Sequence, residues 1–190
     1  MDNSFFKHST KNLAIELLGK YLVCKIDRNI LIGKIVETEA YLDNNDLASH
    51  SAVGKTKRNE VMFEEAGRAY VYFTYGMHYC FNVVSGLKGK GSAVLIRALE
   101  PLHGIDYMMK NRRIKNLSNL TNGPAKLCEA FSIDKTVNGL DLRVSKILYI
   151  SNGDCPEFEI VKTARIGIKK SAEKLLRFYI KGNKFVSKAR

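Results

Sequence analysis

The sequence predicts an α+β fold in which helices pack at the margins of a mainly antiparallel sheet. Apolar runs of strand length follow one another across short turns such as Asp27-Arg28-Asn29, the pattern of antiparallel hairpins. Helical segments are few and stand apart from these runs, so the regular strand–helix alternation of a parallel sheet is missing. With 190 residues, 45% hydrophobic residues and 3 prolines, the chain is predicted to form a single domain over residues 1–190 with a sizeable core.

The first half of the chain predicts one helix and four strands. Ser9 or Thr10 can cap a short helix that ends at Gly19. The strands are expected where apolar or aromatic residues are bounded by turn residues, at 21–26, 30–41, 69–75 and 79–85. The polar segment 43–59 is expected to be a loop with one helical turn around His50.

The second half predicts further strands and two helices. The glycine-rich segment 86–91 is expected to be a hairpin loop. Helices are predicted at 104–113 and at 125–131, the second opened by Gly123-Pro124. Strands are predicted at 93–99, near Leu148, near Ile160 and at 176–180, with a helical turn at 171–174.

The charge balance indicates an acidic partner. Lys+Arg 31 against Asp+Glu 19 gives a net charge of +12 and a pI of about 9.5, which is the range in which a nucleic-acid partner is suspected. The excess is concentrated in residues 162–190, with a second basic cluster at 110–115. The alternative is a soluble surface that is simply rich in lysine, because net charge informs about partners and not about fold.

Cysteine usage and hydropathy favour a reducing, aqueous compartment. Cys24, Cys80, Cys128 and Cys155 lie far apart without Cys-x-x-Cys spacing, so buried free thiols are expected in place of a zinc site or disulfides. The first residues lack a signal-peptide pattern, and no apolar run reaches membrane-spanning length. A cytoplasmic protein without membrane contact is therefore predicted.

The main chemical feature is the acid pair Glu37 and Glu39 at the end of a predicted strand. Residues at i and i+2 of a strand share a face, and a buried carboxylate is one source of a general base near neutral pH. In the alternative interpretation both acids face solvent, with one of them paired to Arg97 or to Lys34. The flanking apolar residues favour at least partial burial of one acid.

A histidine and a run of tyrosines follow the acid pair. A lone histidine such as His50 is more often structural than catalytic, and a second histidine at i+3 or i+4 is missing, so no metal site is predicted. Tyr70 and Tyr72 share a strand face, where packing is the ordinary role of tyrosine. Tyr75 stands beside Gly76 at a turn, a position from which a ring can project as a wedge or a stacking plate.

These residues lie in blocks that resemble the alkyladenine (3-methyladenine) DNA glycosylase family. Order and spacing agree from about residue 9 to about residue 187. The main blocks are Ile35-Val36-Glu37-Thr38-Glu39-Ala40-Tyr41, Ala48-Ser49-His50-Ser51, Tyr70-Val71-Tyr72-Phe73-Thr74-Tyr75-Gly76-Met77, Val94-Leu95-Ile96-Arg97-Ala98-Leu99-Glu100-Pro101, Gly123-Pro124-Ala125-Lys126 and Ala164-Arg165-Ile166-Gly167.

The resemblance implies a single α+β domain on a curved antiparallel sheet. It also implies a monomeric enzyme that needs no metal or cofactor and acts on double-stranded DNA with damaged purines. The damaged base is flipped out of the duplex, and water hydrolyses its glycosidic bond without lyase activity.

The same resemblance assigns roles to individual residues. Glu39 would be the general base, while Arg97 and the main-chain carbonyl of Ile166 would help to hold the water. Tyr41, His50 and Tyr72 would form an aromatic slot, and Asn82 would read purine substituents. Tyr75 would fill the vacated stack, with Met77 contacting DNA beside it.

Two departures from the family pattern concern loops. A proline that is common before Leu176-Arg177-Phe178-Tyr179 is replaced here, and the loop 86–92 is rich in lysine. Two other functions remain open from the residues alone: a non-catalytic nucleic-acid-binding module, and a metal-dependent nuclease that uses Glu37 and Glu39.

Overall fold

Eight strands form one antiparallel sheet in the computed structural model, which describes residues 1, 3–154 and 157–188. The strands are β1 Tyr21–Ile26, β2 Asn29–Tyr41, β3 Ala69–Thr74, β4 His78–Ser85, β5 Ser92–His103, β6 Leu148–Ser151, β7 Ile160–Thr163 and β8 Arg177–Ile180. The helices are α1 Thr10–Glu16, α2 Ile105–Arg112 and α3 Pro124–Ala130. The curved sheet with peripheral helices confirms the predicted α+β fold.

The long strand β2 is the centre of the sheet. The strand order is β3-β4-β5-β2-β1-β6, and β8 joins the second half of β2 with β7 beside it. The first half of β2 pairs with β1, whereas its segment from Glu37 to Glu39 pairs with β8. Because β5 runs along the other side of β2, this acidic segment has a strand on each side and is buried.

Two bulges in the β2–β5 pairing place an arginine beside the acids. Ile35 pairs with Leu99, Glu37 with Ala98 and Thr38 with Ile96, so Val36 and Arg97 have no directly opposite partner. Bulges of this kind increase the local twist and change the direction of a side chain. Here they leave Arg97 between the carboxylates of Glu37 and Glu39.

The helices cover the face of β2 opposite to the acids. The Ser9 side chain caps α1 by accepting a hydrogen bond from Asn12 N, as predicted. The Thr38 hydroxyl donates to the Ala14 carbonyl at 2.7 Å, which fixes α1 against the strand. The core on this side contains large, fully buried side chains, among them Leu13, Leu17, Ile35, Ile96, Leu99, Leu127 and Phe131.

Most element boundaries lie within one or two residues of the prediction, and two elements differ by more. β5 continues to His103, past its predicted end at residue 99. Proline is tolerated in this extension because β4 pairs only with residues 92–95, so Pro101 lies where no strand needs its missing N–H. The segment 171–174 is a turn, not a turn of helix, since Ser171 has a φ of +51° that a right-handed helix cannot include.

The thiols agree with the prediction where they are described. Cys24, Cys80 and Cys128 are free and buried, and Cys155 lies outside the described residues. Within residues 1, 3–154 and 157–188, no helix is both long and apolar enough to cross a bilayer.

Candidate active site

A cavity of about 250 Å³ brings most of the predicted site residues together. Its lining includes seven of them: Tyr41, His50, Tyr72, Tyr75, Asn82, Arg97 and Ile166. Met77 does not line this cavity but contributes to a neighbouring groove beside α3. Residues far apart in the chain thus converge on one face of the sheet.

Glu39 lies directly behind this lining and is fully buried. Its Oε1 accepts a hydrogen bond from the main-chain N–H of Ile166 at 2.8 Å. Its Oε2 accepts one from the Tyr41 hydroxyl at 2.9 Å and lies 3.3 Å from Arg97 Nη1. Each of these three partners lines the cavity, so the carboxylate is oriented by groups that a ligand in the cavity would touch.

Glu37 is fully buried too, but its carboxylate is engaged away from the cavity. Its Oε1 accepts hydrogen bonds from Arg97 Nε at 3.0 Å, Arg177 Nε at 2.6 Å and the Ser187 hydroxyl at 2.8 Å. Its Oε2 accepts one from Ser187 N at 2.7 Å. With four donors, Glu37 is a counter-ion for two arginines and has little capacity left for a ligand.

Arg97 connects the two carboxylates. Burial alone would lower the pKa of its guanidinium, but Glu39 and Glu37 outweigh that effect and raise it. The side chain is therefore a permanent cation whose charge is balanced inside the protein. Two carboxylates and two guanidiniums, from Glu37, Glu39, Arg97 and Arg177, cancel in formal charge within this cluster.

One wall of the cavity consists of packed aromatic rings. The centroids of His50 and Tyr72 are 4.5 Å apart with the rings at 71°, and those of Tyr70 and Tyr72 are 5.4 Å apart. His50 Nδ1 lies 2.9 Å from the Tyr70 hydroxyl, which fixes the imidazole. Because His50 and Tyr72 touch each other edge to face, a flat ligand can lie against them but not between them.

These rings are uncharged at neutral pH. Burial, together with the charge of Arg58, lowers the pKa of His50 below its ordinary value of 6.5. Burial raises the pKa of Tyr70 to about 12 and that of Tyr72 higher still. A cation entering the cavity thus meets neutral rings on this wall, with the Arg58 guanidinium carbon 5.7 Å from the centroid of the Tyr72 ring.

Tyr41 is held by a buried ion pair. The guanidinium carbon of Arg165 lies 4.7 Å from the centroid of the Tyr41 ring, and Arg165 also donates to the Ala40 carbonyl. Asp46 binds this guanidinium with both oxygens, at 2.6 and 2.7 Å. Burial alone would raise the pKa of Asp46, but the hydrogen bonds from Arg165 lower it, so the pair is ionised. Since Arg165 precedes Ile166, one ion pair positions two of the groups that hold Glu39.

Asn82 presents one polar atom to the cavity. Its amide nitrogen donates to the carbonyls of Tyr70 at 3.0 Å and Cys80 at 3.5 Å. These bonds fix the side chain and leave its oxygen as the group that a ligand can reach. The residue therefore acts as a hydrogen-bond acceptor in a fixed position.

The hairpin between β3 and β4 projects an aromatic tip at the cavity. Tyr75 is 89% exposed and Met77 69% exposed. Tyr75 and Gly76 have φ values of +52° and +67°, the backbone of the tight turns that join paired strands. The fold thus presents a large aromatic ring to solvent at the edge of the cavity, and the role of this ring as a wedge stays a prediction.

Exposed cations flank the cavity on two sides. Lys55, Lys57 and Arg58 lie in the loop that follows His50, and Arg58 is anchored to the hairpin by a bond to the Phe73 carbonyl. Lys169 and Lys170 directly follow the lining residues 166–168. Among the described residues, no group of three or more His, Cys, Asp or Glu side chains could hold a metal ion.

Several residues of the site were not predicted. Tyr70, Cys80 and Leu95 line the cavity, and each lies two residues from a predicted site residue on the same strand, so strand alternation could have identified them. Asp46 and Ser187 gave no such signal, because the site residues that they bind, Arg165 and Glu37, are distant in the sequence. The predicted role of Ile166 involved its carbonyl, whereas the contact observed with Glu39 uses its N–H.

Comparisons with known proteins identify the family of this chain. The model of the methylpurine-DNA glycosylase family matches residues 4–184. A protein of Carboxydothermus hydrogenoformans is 53% identical over 189 residues, covering 99% of this chain and 98% of the relative. A protein of Francisella tularensis is 54% identical over 182 residues, covering 94% of each chain, and both relatives are named "Putative 3-methyladenine DNA glycosylase". A match over nearly the whole chain shows that the chain belongs to the methylpurine-DNA glycosylase family.

Proposed function

We propose that this protein is a monofunctional DNA glycosylase that excises alkylated purines of the 3-methyladenine type from double-stranded DNA. The observation that carries the proposal is the buried carboxylate of Glu39, oriented at the wall of a cavity lined by neutral aromatic rings. The cavity, about 250 Å³, is smaller than the roughly 300–1,000 Å³ typical of drug-sized ligands, which suits a single flat base. Family membership and the names of the relatives support the same activity.

The damaged base enters the cavity by flipping out of the duplex. Flipping costs a few kcal/mol and costs least for a damaged base, so selection begins before chemistry. Tyr75 occupies the vacated position in the stack, and Met77 contacts the DNA beside it. The base then lies against His50 and Tyr72, with Tyr41 contributing the other aromatic surface of the slot.

Hydrolysis uses water as the nucleophile. An alkylated purine with positive charge is a good leaving group, and the glycosidic electron pair moves onto the base as the bond breaks. Glu39 takes a proton from the water whose oxygen bonds to C1′, and its negative charge stabilises the cationic sugar that develops. Arg97 and the main chain of Ile166 hold the carboxylate and the water in place.

The geometry favours Glu39 over Glu37 as the base. The partners of Glu39 line the cavity, whereas those of Glu37, apart from Arg97, do not. A metal-dependent nuclease is disfavoured because Arg97 lies between the two carboxylates and would repel a metal cation there. A binding module without catalysis would gain nothing from a buried acid beside a surface that binds phosphates.

Substrate breadth depends on the acceptor oxygen of Asn82 and on charge. Hypoxanthine and ethenoadenine resemble 3-methyladenine in size and fit the same slot, but they lack its positive charge and are proposed to react more slowly. The cationic 7-methylguanine is proposed as a further substrate.

No lysine is among the described residues that line the cavity, which supports hydrolysis without a covalent imine and therefore without lyase activity. Because one chain supplies the whole described lining, we propose that a monomer is active.

Release of free base from methylated duplex tests the proposal. Duplex DNA treated with a methylating agent is incubated with the protein in EDTA, and released bases are separated by chromatography. The wild type should release 3-methyladenine above the background without protein. Glu39→Gln should reduce the rate of base release roughly 10²- to 10⁴-fold, which is the usual contribution of a general base. Duplex binding should persist or tighten.

Glu100→Gln is the matched control for this experiment. Glu100 lies on the same sheet and pairs with Lys34 at 2.7 Å, and it does not line the cavity. Its variant should excise at the wild-type rate. Excision by Glu39→Gln at that rate, or loss of wild-type activity in the chelator, would refute the proposed mechanism.

A further inference from the structure

The segment near residue 187 completes the charge cluster behind the site. Besides the two bonds that Ser187 gives to Glu37, its hydroxyl accepts one from Arg97 Nη2 at 3.3 Å. Its carbonyl accepts one from Arg177 Nη2 at 3.1 Å. Ser187 therefore contacts three of the four charged residues in the cluster and is itself buried.

The three nitrogens of the Arg97 guanidinium are divided among three partners. Nε donates to Glu37, Nη2 donates to Ser187, and Nη1 faces Glu39. An arginine normally prefers a two-pronged contact with a carboxylate. Here only one nitrogen is directed at Glu39, at 3.3 Å, because the others are engaged elsewhere.

We infer that Glu37 and Ser187 are positioning residues that keep Arg97 from forming a two-pronged pair with Glu39. Such a pair would occupy the carboxylate oxygens that must accept the proton of the attacking water. The inference rests on the proposed function, since it concerns the availability of the general base. It assigns a role in the reaction to a side chain that does not line the cavity.

The contribution of Ser187 can be separated from general stability. Ser187→Ala removes the hydroxyl bonds to Glu37 and Arg97 but keeps the main-chain bonds. Asn183→Ala is the matched control, because Asn183 anchors the same segment through Glu100 and Phe185 without touching the cluster. Ser187→Thr restores a hydroxyl at the same position.

The experiment measures single-turnover excision, duplex affinity and thermal midpoint for each variant. Ser187→Ala should excise roughly 10- to 100-fold more slowly, the range expected for a misplaced catalytic group, with duplex affinity unchanged. Ser187→Thr should recover most of the rate. Asn183→Ala should lower the thermal midpoint but excise at the wild-type rate well below it.

Three outcomes would overturn the inference. These are a wild-type rate for Ser187→Ala, an equal loss of rate in Asn183→Ala, and no gain from Ser187→Thr over Ser187→Ala. Failure of the proposed function is distinguishable, because it would appear as absent excision by the wild type or as unimpaired excision by Glu39→Gln.

Discussion

Tyr75 combines a strained backbone with an exposed ring, so stability and activity should respond to its replacement with opposite sign. Its φ of +52° lies in the left-handed region, which costs an L-residue roughly 1–2 kcal/mol. At 89% exposure, the ring adds little to the core in return. Tyr75→Gly removes the strain, and Tyr75→Ala keeps it.

The magnitude follows from two opposing terms. Relief of about 1–2 kcal/mol is reduced by the roughly 0.5–1 kcal/mol of extra chain entropy that glycine loses on folding. A net gain of roughly 0.5–1 kcal/mol should raise the thermal midpoint by about 1–4 °C in a protein of this length. Tyr75→Ala should change the free energy of unfolding by no more than about 0.5 kcal/mol.

Excision should fall in the two variants alike. Without a wedge the vacated stack stays empty, and a loss of about 1.4–2.8 kcal/mol corresponds to roughly a 10- to 100-fold lower single-turnover rate on duplex. The rate on a lesion in an unpaired strand should fall less, because no partner base competes for the flipped position. Equal losses on the two substrates would contradict the wedge role, and equal thermal midpoints of the two variants would contradict the strain argument.

Two further predictions concern charge. Lys169→Gln and Lys170→Gln should each reduce the magnitude of the negative slope of log affinity against log salt by roughly 0.9, for damaged and undamaged duplex alike. Lys181→Gln should change the slope less, because Lys181 already pairs with the exposed Glu159. Unchanged slopes in all three variants would place the phosphate surface elsewhere. Asp46→Asn should destabilise the fold by roughly 3–5 kcal/mol in thermal unfolding at pH 7, because it leaves a buried guanidinium without its counter-ion. The pKa of Asp46 is lowered in the folded state, so its stabilising effect is complete above the ordinary pKa of 3.8 and is lost as the pH falls below that value. The difference in stability between wild type and Asp46→Asn should therefore shrink in acid.

The sequence predicts the strands well because their signals are local. Alternating apolar residues and turn residues determine β1 to β4 within one or two residues of their bounds. The predicted end of β5 at residue 99 was wrong. The strand continues through Pro101, which lies beyond the segment that pairs with β4. The burial of Glu37 and Glu39 was only partly predicted, because it depends on β8, which joins β2 from a distant part of the chain.

The roles within the site divide in the same way. Tyr75 could be predicted as a projecting ring because Gly76 beside it encodes a turn. The bulge that directs Arg97 between the acids could not be predicted, because it depends on the pairing register of two strands more than fifty residues apart. Ser187 and Asp46 reach the site through tertiary contacts, to Glu37 and Arg165, which no spacing pattern encodes.

The distribution of charge reconciles a basic protein with a cationic substrate. A net charge of +12 attracts DNA from a distance, yet a positively charged purine would be repelled by a cavity of the same sign. Inside the protein the arginines are balanced: Arg97 and Arg177 by Glu37 and Glu39, and Arg165 by Asp46. With His50 and the tyrosines neutral, the attraction comes from exposed cations around the cavity: the lysines, and Arg58, which lies 5.7 Å from the centroid of the Tyr72 ring. If the protein acts as proposed, the buried ion pairs serve the reaction as well as the fold, because each one cancels a positive charge that the damaged base would otherwise meet.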